Sequence, residues 1–233
     1  MSDKEQSKGK QPARKSRTWT EQAYDRLRMD ILSGALRPGT RLKIEELKQR
    51  YDLGPTPLRE ALSRLNSEGL VQSEQLKGYR VAAVSLRELE ELCDLRVMIE
   101  GEALRRAMEK GDEEWEGDVV SAFHKLDRME QRLADGEKID PGEWEDRNRD
   151  FHAALVSAAD SQWLLRTREH LWVHHERYRR YARILLVDRP VAHVRDEHRS
   201  LMESALARDS ERAVQVIRDH ILFTVELLRD RFR

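Results

Sequence analysis

The chain has 233 residues, of which 37% are charged and 39% hydrophobic, with a formal net charge of −1. This length accommodates two small domains, and no run of about 18 apolar residues suggests a membrane span. The polar, basic start lacks the apolar centre of a signal peptide, and the single cysteine, Cys93, excludes an intrachain disulfide, so we expect a cytoplasmic protein.

Charge is unevenly distributed along the chain. Residues 1–84 carry 17 basic and 11 acidic side chains, whereas residues 85–233 carry 26 and 33. A basic N-terminal part suits a polyanionic partner such as nucleic acid. Residues 1–17 read as a disordered basic tail, which either adds non-specific phosphate affinity or only aids solubility.

The N-terminal part predicts three short helices and a two-stranded ribbon. Apolar residues recur at helical spacing, and Gly34 and Arg37-Pro38-Gly39 end the first helix. Proline is favoured in a first helical turn, so the third helix is expected to open at Pro57 with Thr56 as its cap. The predicted helices are residues 20–33, 44–51 and 57–68, and the predicted strands are residues 70–73 and 79–84.

From Ser85 onward the pattern is helical throughout. Ser85 followed three residues later by Glu88 is a capping box, which opens the first helix of this part. The fold class predicted is mainly α: a winged helix-turn-helix with a two-stranded wing in residues 18–84, then an all-α antiparallel bundle of about six helices in residues 85–233. The helices are expected at residues 85–109, 113–135, 141–159, 162–186, 190–208 and 210–231.

A winged helix-turn-helix reads the DNA major groove with its second helix. Arg59 is placed to bond a guanine edge or a phosphate, although residue type alone also allows Arg59 and Glu60 to be solvated helix residues. The candidate DNA contacts are Thr56, Pro57, Arg59, Ser63 and Arg64 on the helix, Arg41, and Lys77 and Gly78 at the wing tip.

The segments ILSGALRPGTRL, TPLREALSRLNSEGLV and KGYRVAAVS resemble the N-terminal domain of the GntR family of transcription regulators, in unbroken order from about residue 20 to residue 85. The resemblance implies double-stranded operator DNA as a partner. The family usually has Val-Ser-Arg before Thr-Pro, where this chain has Leu53-Gly54-Pro55. We therefore expect an unusual operator, with contacts shifted to Arg59, Thr56, Arg41 and the wing.

Histidines in the helical part offer two candidate metal sites. Three imidazoles and one side-chain oxygen from three helices suit a divalent metal inside a bundle. A competing pair, His170 and His174, also lies four residues apart, and spacing alone does not choose between the sites or exclude ordinary core histidines. The first site comprises Asn148, His152, His198 and His220.

The segments DLRVMIEGEAL, NRDFHAALVSAAD, DEHRSLMESALARD and VIRDHI resemble the FCD ligand-binding domain of the FadR-type branch of the GntR family. In metal-binding members, an aspartate and three histidines hold a divalent cation beneath a carboxylate effector. Carried over, the ligands are Asn148, His152, His198 and His220. Asn148 replaces the usual aspartate and removes one negative charge, so we expect weaker binding of a zinc-, nickel- or manganese-type ion.

Arg96 is the candidate effector contact, because it shares a helical stripe with Leu89 and Ala103 and a buried guanidinium needs a partner. That partner is either Glu100, one turn on, or an effector carboxylate; the resemblance favours the effector. Further effector contacts are expected from Arg149, Tyr178 and Asn148. The remaining arginines of residues 177–180 are expected on a solvated or dimer face.

The segments YDLGPTPLREALSRL, GDEEWEGDVVSAFHKL and HHERYRRYARIL resemble the subgroup that represses carbon-starvation and glutarate-catabolism genes, which implies a small dicarboxylate such as glutarate as effector. We therefore predict a homodimeric DNA-binding repressor, released by a small carboxylate. Two half-sites one helical turn apart need two reading heads.

The alternative function is a metal-dependent hydrolase using the three-histidine site, with Glu197 as general base. Neighbouring residues on a helix point about 100° apart, so Glu197 would aim away from a metal on His198. The sequence therefore favours a regulator that is not an enzyme.

Overall fold

The structure, a computed structural model, describes residues 17–74, 78–185 and 191–229. The predicted basic tail, apart from Arg17, and Lys77 at the wing tip lie outside these ranges. The N-terminal elements, here called the winged head, are α1 (Trp19–Leu32), β1 (Arg41–Leu42), α2 (Ile44–Tyr51), α3 (Pro55–Ser67), β2 (Val71–Glu74) and β3 (Gly78–Val81). The later elements, called the helical bundle, are α4 (Leu86–Lys110), α5 (Glu113–Ala134), α6 (Pro141–Val156), a 3-10 turn (Ser157–Ala159), α7 (Gln162–Leu185), α8 (Val191–Leu206) and α9 (Ser210–Arg229).

The winged head has its own apolar core. Leu27 of α1 and Leu58 and Leu62 of α3 are completely buried in it. Helix α1 begins with a capping box, in which the Thr18 hydroxyl accepts from the Glu21 amide and the Glu21 carboxylate accepts from the Thr18 amide. The apolar core and the cap hold α1, α2 and α3 together, with one face of α3 at the surface.

The wing is an antiparallel sheet of strand order β1-β3-β2 within the described residues. Gln72 lies opposite Arg80, and Leu42 lies opposite Tyr79. The two predicted strands are confirmed as β2 and β3. The sequence analysis missed β1, since a two-residue strand is too short to show alternation.

Helix α3 begins at Pro55, two residues before the predicted start. Gly54 is the N-cap residue and makes no side-chain hydrogen bond to the helix. The prediction that Thr56 caps this helix is therefore wrong, because Thr56 lies inside the first turn. Both prolines fit there, since the first amides of a helix have no intrahelical partner.

The helical bundle confirms the predicted all-α architecture. Helix α4 packs chiefly against α9 and α7, and α5 packs against α6 and α8. Only half of the predicted capping box forms: the Ser85 hydroxyl accepts from the Glu88 amide, but the Glu88 carboxylate accepts from Tyr178 and Arg177 instead. Among the described helices, none combines the length and apolar character needed to cross a membrane.

Candidate ligand-binding site and DNA interface

Three histidines from three helices converge inside the bundle. His152 lies on α6, His198 on α8 and His220 on α9, and their ligand atoms all lie within 4.8 Å of one another. His152 and His198 are almost completely buried. The structure thus brings together the three histidines of the first predicted site.

Carboxylates orient two of these rings. Glu130 Oε1 lies 3.0 Å from Nδ1 of His198, and Glu197 Oε2 lies 2.8 Å from Nδ1 of His220. Burial acts to raise the pKa of Glu197, but the hydrogen bond with His220 and the charges of His220, His193 and His198 together outweigh burial, so the pKa is lowered. A carboxylate on Nδ1 leaves Nε2 to face a metal, the usual arrangement around histidine ligands.

Three buried polar groups at this site make no hydrogen bond within the described residues. They are the Nε2 atom of His152 together with that of His198, and the side-chain amide of Asn148. Burial, with the nearby His220 and His198, holds the pKa of His152 well below its ordinary value, so this imidazole is neutral at pH 7. Neutral nitrogens and an amide oxygen form a donor set that fits a divalent transition metal.

Beside the histidines lies an arginine–tryptophan cluster formed by Arg96, Arg168 and Arg179 around Trp172. The three guanidinium carbons lie 4.8, 4.9 and 4.5 Å from the centre of the Trp172 ring. The Trp172 ring centre is 5.0 Å from that of His152. The histidines and the arginines therefore flank one buried indole.

The arginines of the cluster are paired with carboxylates, but several of their N–H groups are left without a partner among the described residues. Glu100 accepts from Arg96 at 2.7 Å and from Arg168 at 3.0 Å, and Glu145 accepts from Arg179 at 2.7 Å. A third carboxylate, Glu169, has its Oε2 atom 3.7 Å from Arg168 Nη1. Several buried N–H groups of the arginines have no partner in the part of the chain that the structure describes, namely Arg96 Nε, Arg168 Nη2 and Arg179 Nε, as well as Trp172 Nε1. Buried donors of this kind favour an anion.

The other predicted effector contacts have partners within the protein. Arg149 donates to Glu176 at 2.6 Å and lies 3.5 Å from Glu169. The Tyr178 hydroxyl, at the junction with the winged head, donates to Glu88 at 2.6 Å, and burial followed by this bond raises the pKa of Tyr178 to about 12. The structure does not bring Tyr178 into the histidine site; it places Tyr178 against Glu88.

The prediction that the remaining arginines of residues 177–180 form a solvated or dimer face is wrong for Arg177 and Arg179. Both are buried, and each has a carboxylate partner: Arg177 donates to Glu88, and Arg179 donates to Glu145. The sequence-based prediction also did not include a buried stripe on α7 formed by Arg168, Trp172, His175 and Arg179. Their spacing of four, three and four residues places them on one face of the helix and is the signal that could have found them.

The competing histidine pair does not form a comparable site. The rings of His170 and His174 lie 4.7 Å apart, edge to face. Within the described ranges, His152, His198 and His220 are the one group of three or more histidine, cysteine or acidic side chains that is close enough to hold a metal.

The candidate DNA contacts that the structure describes lie on the surface of the winged head. Pro57 is half-buried, and Arg64 is held by stacking 3.7 Å over the Tyr24 ring and by a 3.2 Å bond to Glu68. These two contacts restrict the Arg64 side chain to one position before DNA binds. The exposed candidates are Arg41, Thr56, Arg59, Ser63, Arg64 and Gly78.

Comparison with known sequences agrees with both halves of this architecture. The gntR family of bacterial regulatory proteins matches residues 19–81, and the FCD domain matches residues 91–223. The chain belongs to the GntR family. It is a DNA-binding transcription regulator with an FCD domain and not an enzyme, as the sequence predicted.

Relatives of this GntR regulator match it over most of their own length. The HTH-type transcriptional regulator BphR of Paraburkholderia xenovorans is 40% identical over 94% of this chain and 88% of BphR. The HTH-type transcriptional repressor GlaR of Escherichia coli K12 is 37% identical over 88% of this chain and 94% of GlaR. The solved structure of E. coli McbR/YncC shares the fold, with a TM-score of 0.71 at 23% identity, over 94% of this chain and all of McbR/YncC.

Proposed function

We propose that this GntR regulator is a repressor that leaves its operator when a small carboxylate binds over a divalent metal in the helical bundle. The observation that carries the proposal is the three-histidine group lying directly beside the arginine–tryptophan cluster. The name of the relative GlaR, a transcriptional repressor, supports the direction of the response.

The proposed metal ligands are His152, His198 and His220, with the side-chain oxygen of Asn148 as the fourth. Asn148 is buried one helical turn from His152, and its amide lacks any partner among the described residues. A zinc-, nickel- or manganese-type ion suits these donors, and it would supply a positive centre for one carboxylate. The neutral amide leaves that centre with more net charge than an aspartate would.

The proposed effector is a dicarboxylate such as glutarate. One carboxylate would bind at the metal and the other at the N–H groups of the arginine–tryptophan cluster that have no partner among the described residues, that of Arg96 included. The Trp172 ring lies close both to His152 and to the arginines, and it offers an apolar wall for a short methylene chain. A guanidinium binds a carboxylate through two parallel hydrogen bonds, which gives orientation as well as affinity.

The winged head is proposed to bind operator DNA as part of a homodimer, in the cytoplasm. The contacts would come from Arg59, the pre-positioned Arg64 and the wing. Two heads related by a two-fold axis match two half-sites. The full set of proposed contacts is Arg41, Thr56, Pro57, Arg59, Ser63, Arg64, Lys77 and Gly78.

A thermal-shift screen tests the acid and the metal together. Chelator-treated protein is heated alone and with Zn²⁺, Ni²⁺ or Mn²⁺, each with glutarate or with pentanoate, the monocarboxylate of equal chain length. We expect the melting temperature to rise most with metal and glutarate, because binding to the native state stabilises it by mass action. Equal stabilisation by pentanoate would contradict the dicarboxylate, and a response to glutarate that chelation leaves unchanged would contradict the metal.

An electrophoretic shift tests the repressor. Purified protein should bind a fragment of the promoter upstream of its own gene more tightly than random DNA at physiological salt, and metal with glutarate should weaken the complex. Equal binding of promoter and random DNA would overturn the proposal.

A further inference from the structure

Helix α7 contacts both regions of the molecule. One of its faces carries Trp172 and Arg179 of the arginine–tryptophan cluster. Another packs against the winged head, where Val173 joins the apolar core of the head. A movement of α7 at the cluster is therefore also a movement beneath the head.

The head is seated tightly on this helix. Gly69, in the turn between α3 and β2, approaches His174 so closely that a Cβ on Gly69 would lie 2.5 Å from the His174 ring. Gly69 also has a φ of +72°, which an L side chain adopts only with strain. The turn after α3 is therefore in close contact with the His174 ring of α7.

One buried carboxylate joins the two regions electrostatically. Glu176 of α7 is 3% exposed, and its Oε2 atom accepts from Arg149 of α6 at 2.6 Å and from Arg28 of α1 at 3.5 Å. Its Oε1 atom accepts from Arg180 at 2.9 Å. Arg28 belongs to the winged head, so this carboxylate links the head to two helices of the bundle.

The same carboxylate lies next to the ligand site along two helices. Arg149 directly follows Asn148 on α6, and Glu176 directly follows the buried His175 on α7. Arg149 and Arg28 share a single oxygen atom of Glu176, so a shift of one guanidinium changes the bond available to the other. The long 3.5 Å contact of Arg28 has room to tighten or to break.

We propose that Glu176 is a positioning residue that transmits occupancy of the ligand site to the winged head through Arg28. The inference rests on the proposed function. Ordering of Asn148 by a metal moves Arg149 relative to Glu176, and ordering of the cluster by an anion moves α7, which carries Glu176, relative to Arg28. The resulting change at Arg28 gives the head two seatings of different DNA affinity, and the ligand favours one of them by binding it more tightly.

Hydrogen–deuterium exchange of the full chain tests the connection without requiring a known operator. Each protein is compared in chelator, with Zn²⁺, and with Zn²⁺ plus glutarate. The variants are Arg28→Gln, Arg28→Lys and a matched control, Arg87→Gln, which removes an exposed arginine paired with Glu91 on α4. Arg28 is preferred to Glu176 as the site of change, because a neutral residue at position 176 would also remove the carboxylate that Arg149 and Arg180, both partly buried, share.

In the native protein, Zn²⁺ with glutarate should slow exchange in α6, α8 and α9 and also change exchange in α1. Arg28→Gln should keep the bundle response and lose the α1 response, whereas Arg28→Lys should restore part of it and Arg87→Gln should leave it whole. A purely structural role of Arg28 would instead raise α1 exchange equally in all three states, which would overturn the inference.

Two further outcomes separate the inference from the function on which it rests. If the bundle responds and α1 of the native protein does not, the connection is wrong while the metal and acid site survives. If neither Zn²⁺ nor glutarate changes exchange in the bundle, the proposed ligand site is wrong, and the connection falls with it.

Discussion

The winged head and the helical bundle treat charge in opposite ways. Within the described residues, every charged or histidine side chain that is buried belongs to the bundle, and the buried residues of the head are apolar apart from the Tyr51 hydroxyl. The buried charged and histidine side chains are Arg96, Glu100, Glu130, Glu145, His152, Arg168, His175, Glu176, Arg177, Arg179 and His198.

The difference matches two kinds of ligand site. The winged head would bind DNA on its outer surface, whereas the helical bundle would bind its ligand in the interior. The head closes an ordinary apolar core and presents its basic groups to a polyanion in solvent. The bundle carries desolvated charges that destabilise it unless each is paired, and it leaves N–H groups of the arginine–tryptophan cluster open. An anion that accepts hydrogen bonds from these N–H groups would therefore stabilise the folded bundle.

The largest test of the comparison is the loss of a carboxylate. Glu100→Leu removes the shared partner of Arg96 and Arg168, and should lower the free energy of unfolding by about 3–5 kcal/mol. The matched change in the head, Glu45→Ala, breaks an exposed pair with Lys48 and should cost less than about 1 kcal/mol. Urea unfolding of both variants measures the two values, and similar losses would contradict the contrast between the regions.

The second test concerns the carboxylate behind a histidine. Glu130→Gln changes the group that orients His198, and should weaken Zn²⁺ binding by about 10- to 100-fold in a calorimetric titration. Glu137→Gln removes an exposed carboxylate that pairs with Arg132 just beyond α5 and is the control. Unchanged Zn²⁺ affinity in Glu130→Gln would show that this carboxylate does not support a metal site.

The third test concerns the exposed face of the head. Arg59→Ala should weaken promoter binding by about tenfold, since a specific arginine contact contributes roughly 1–3 kcal/mol. The melting temperature should not change, because Arg59 is exposed and lies outside the core. Gel shifts of Arg59→Ala and of the bundle variant Arg87→Ala give the comparison; equal affinities would remove Arg59 from the interface.

The smallest expected effect is a pH dependence that originates in the bundle. Burial, followed by the charges of Arg96 and Arg179 and the neighbouring His220, holds the pKa of His175 well below its ordinary value. The unfolded chain therefore takes up a proton before the folded one does as the pH falls below about 6.5, and stability is lost in that range.

His175→Gln should reduce this slope of unfolding free energy against pH, by up to about 1.4 kcal/mol per pH unit for one proton. Thermal unfolding of chelator-treated protein between pH 7 and pH 5 measures the slope, with the exposed His124→Gln as a control for the loss of an imidazole. An identical slope in His175→Gln and the native protein would place the acid sensitivity elsewhere.

The comparison also explains what sequence analysis could predict. Helices with regular apolar spacing were located to within a few residues, and Ile44–Tyr51 was predicted without error. The start of α3 was misplaced because Pro55 and Pro57 both suit a first turn. Apolar periodicity is the signal in both regions, and it suffices for a head whose core is apolar.

The bundle interior was harder to predict, because its buried stripe on α7 is made of charged residues. Arg168 and Arg179 resemble surface residues until their partners, Glu100 and Glu145, are known, and those partners lie on other helices. For the histidines, spacing offered two candidate groups, and a family resemblance chose between them. Pairing across 34 or 68 residues is a property of the fold and leaves no local pattern.

The close approach of Gly69 to His174 has a consequence for the modular use of such regulators. In a head transplanted onto this bundle, any side chain at the position of Gly69 would meet the His174 imidazole, and the imidazole would have to shift to admit it. Exchange of heads between related regulators is therefore limited by one shape match at the joint as well as by the linker. Chimeras that ignore this match should bind DNA and ligand separately, without communication between them.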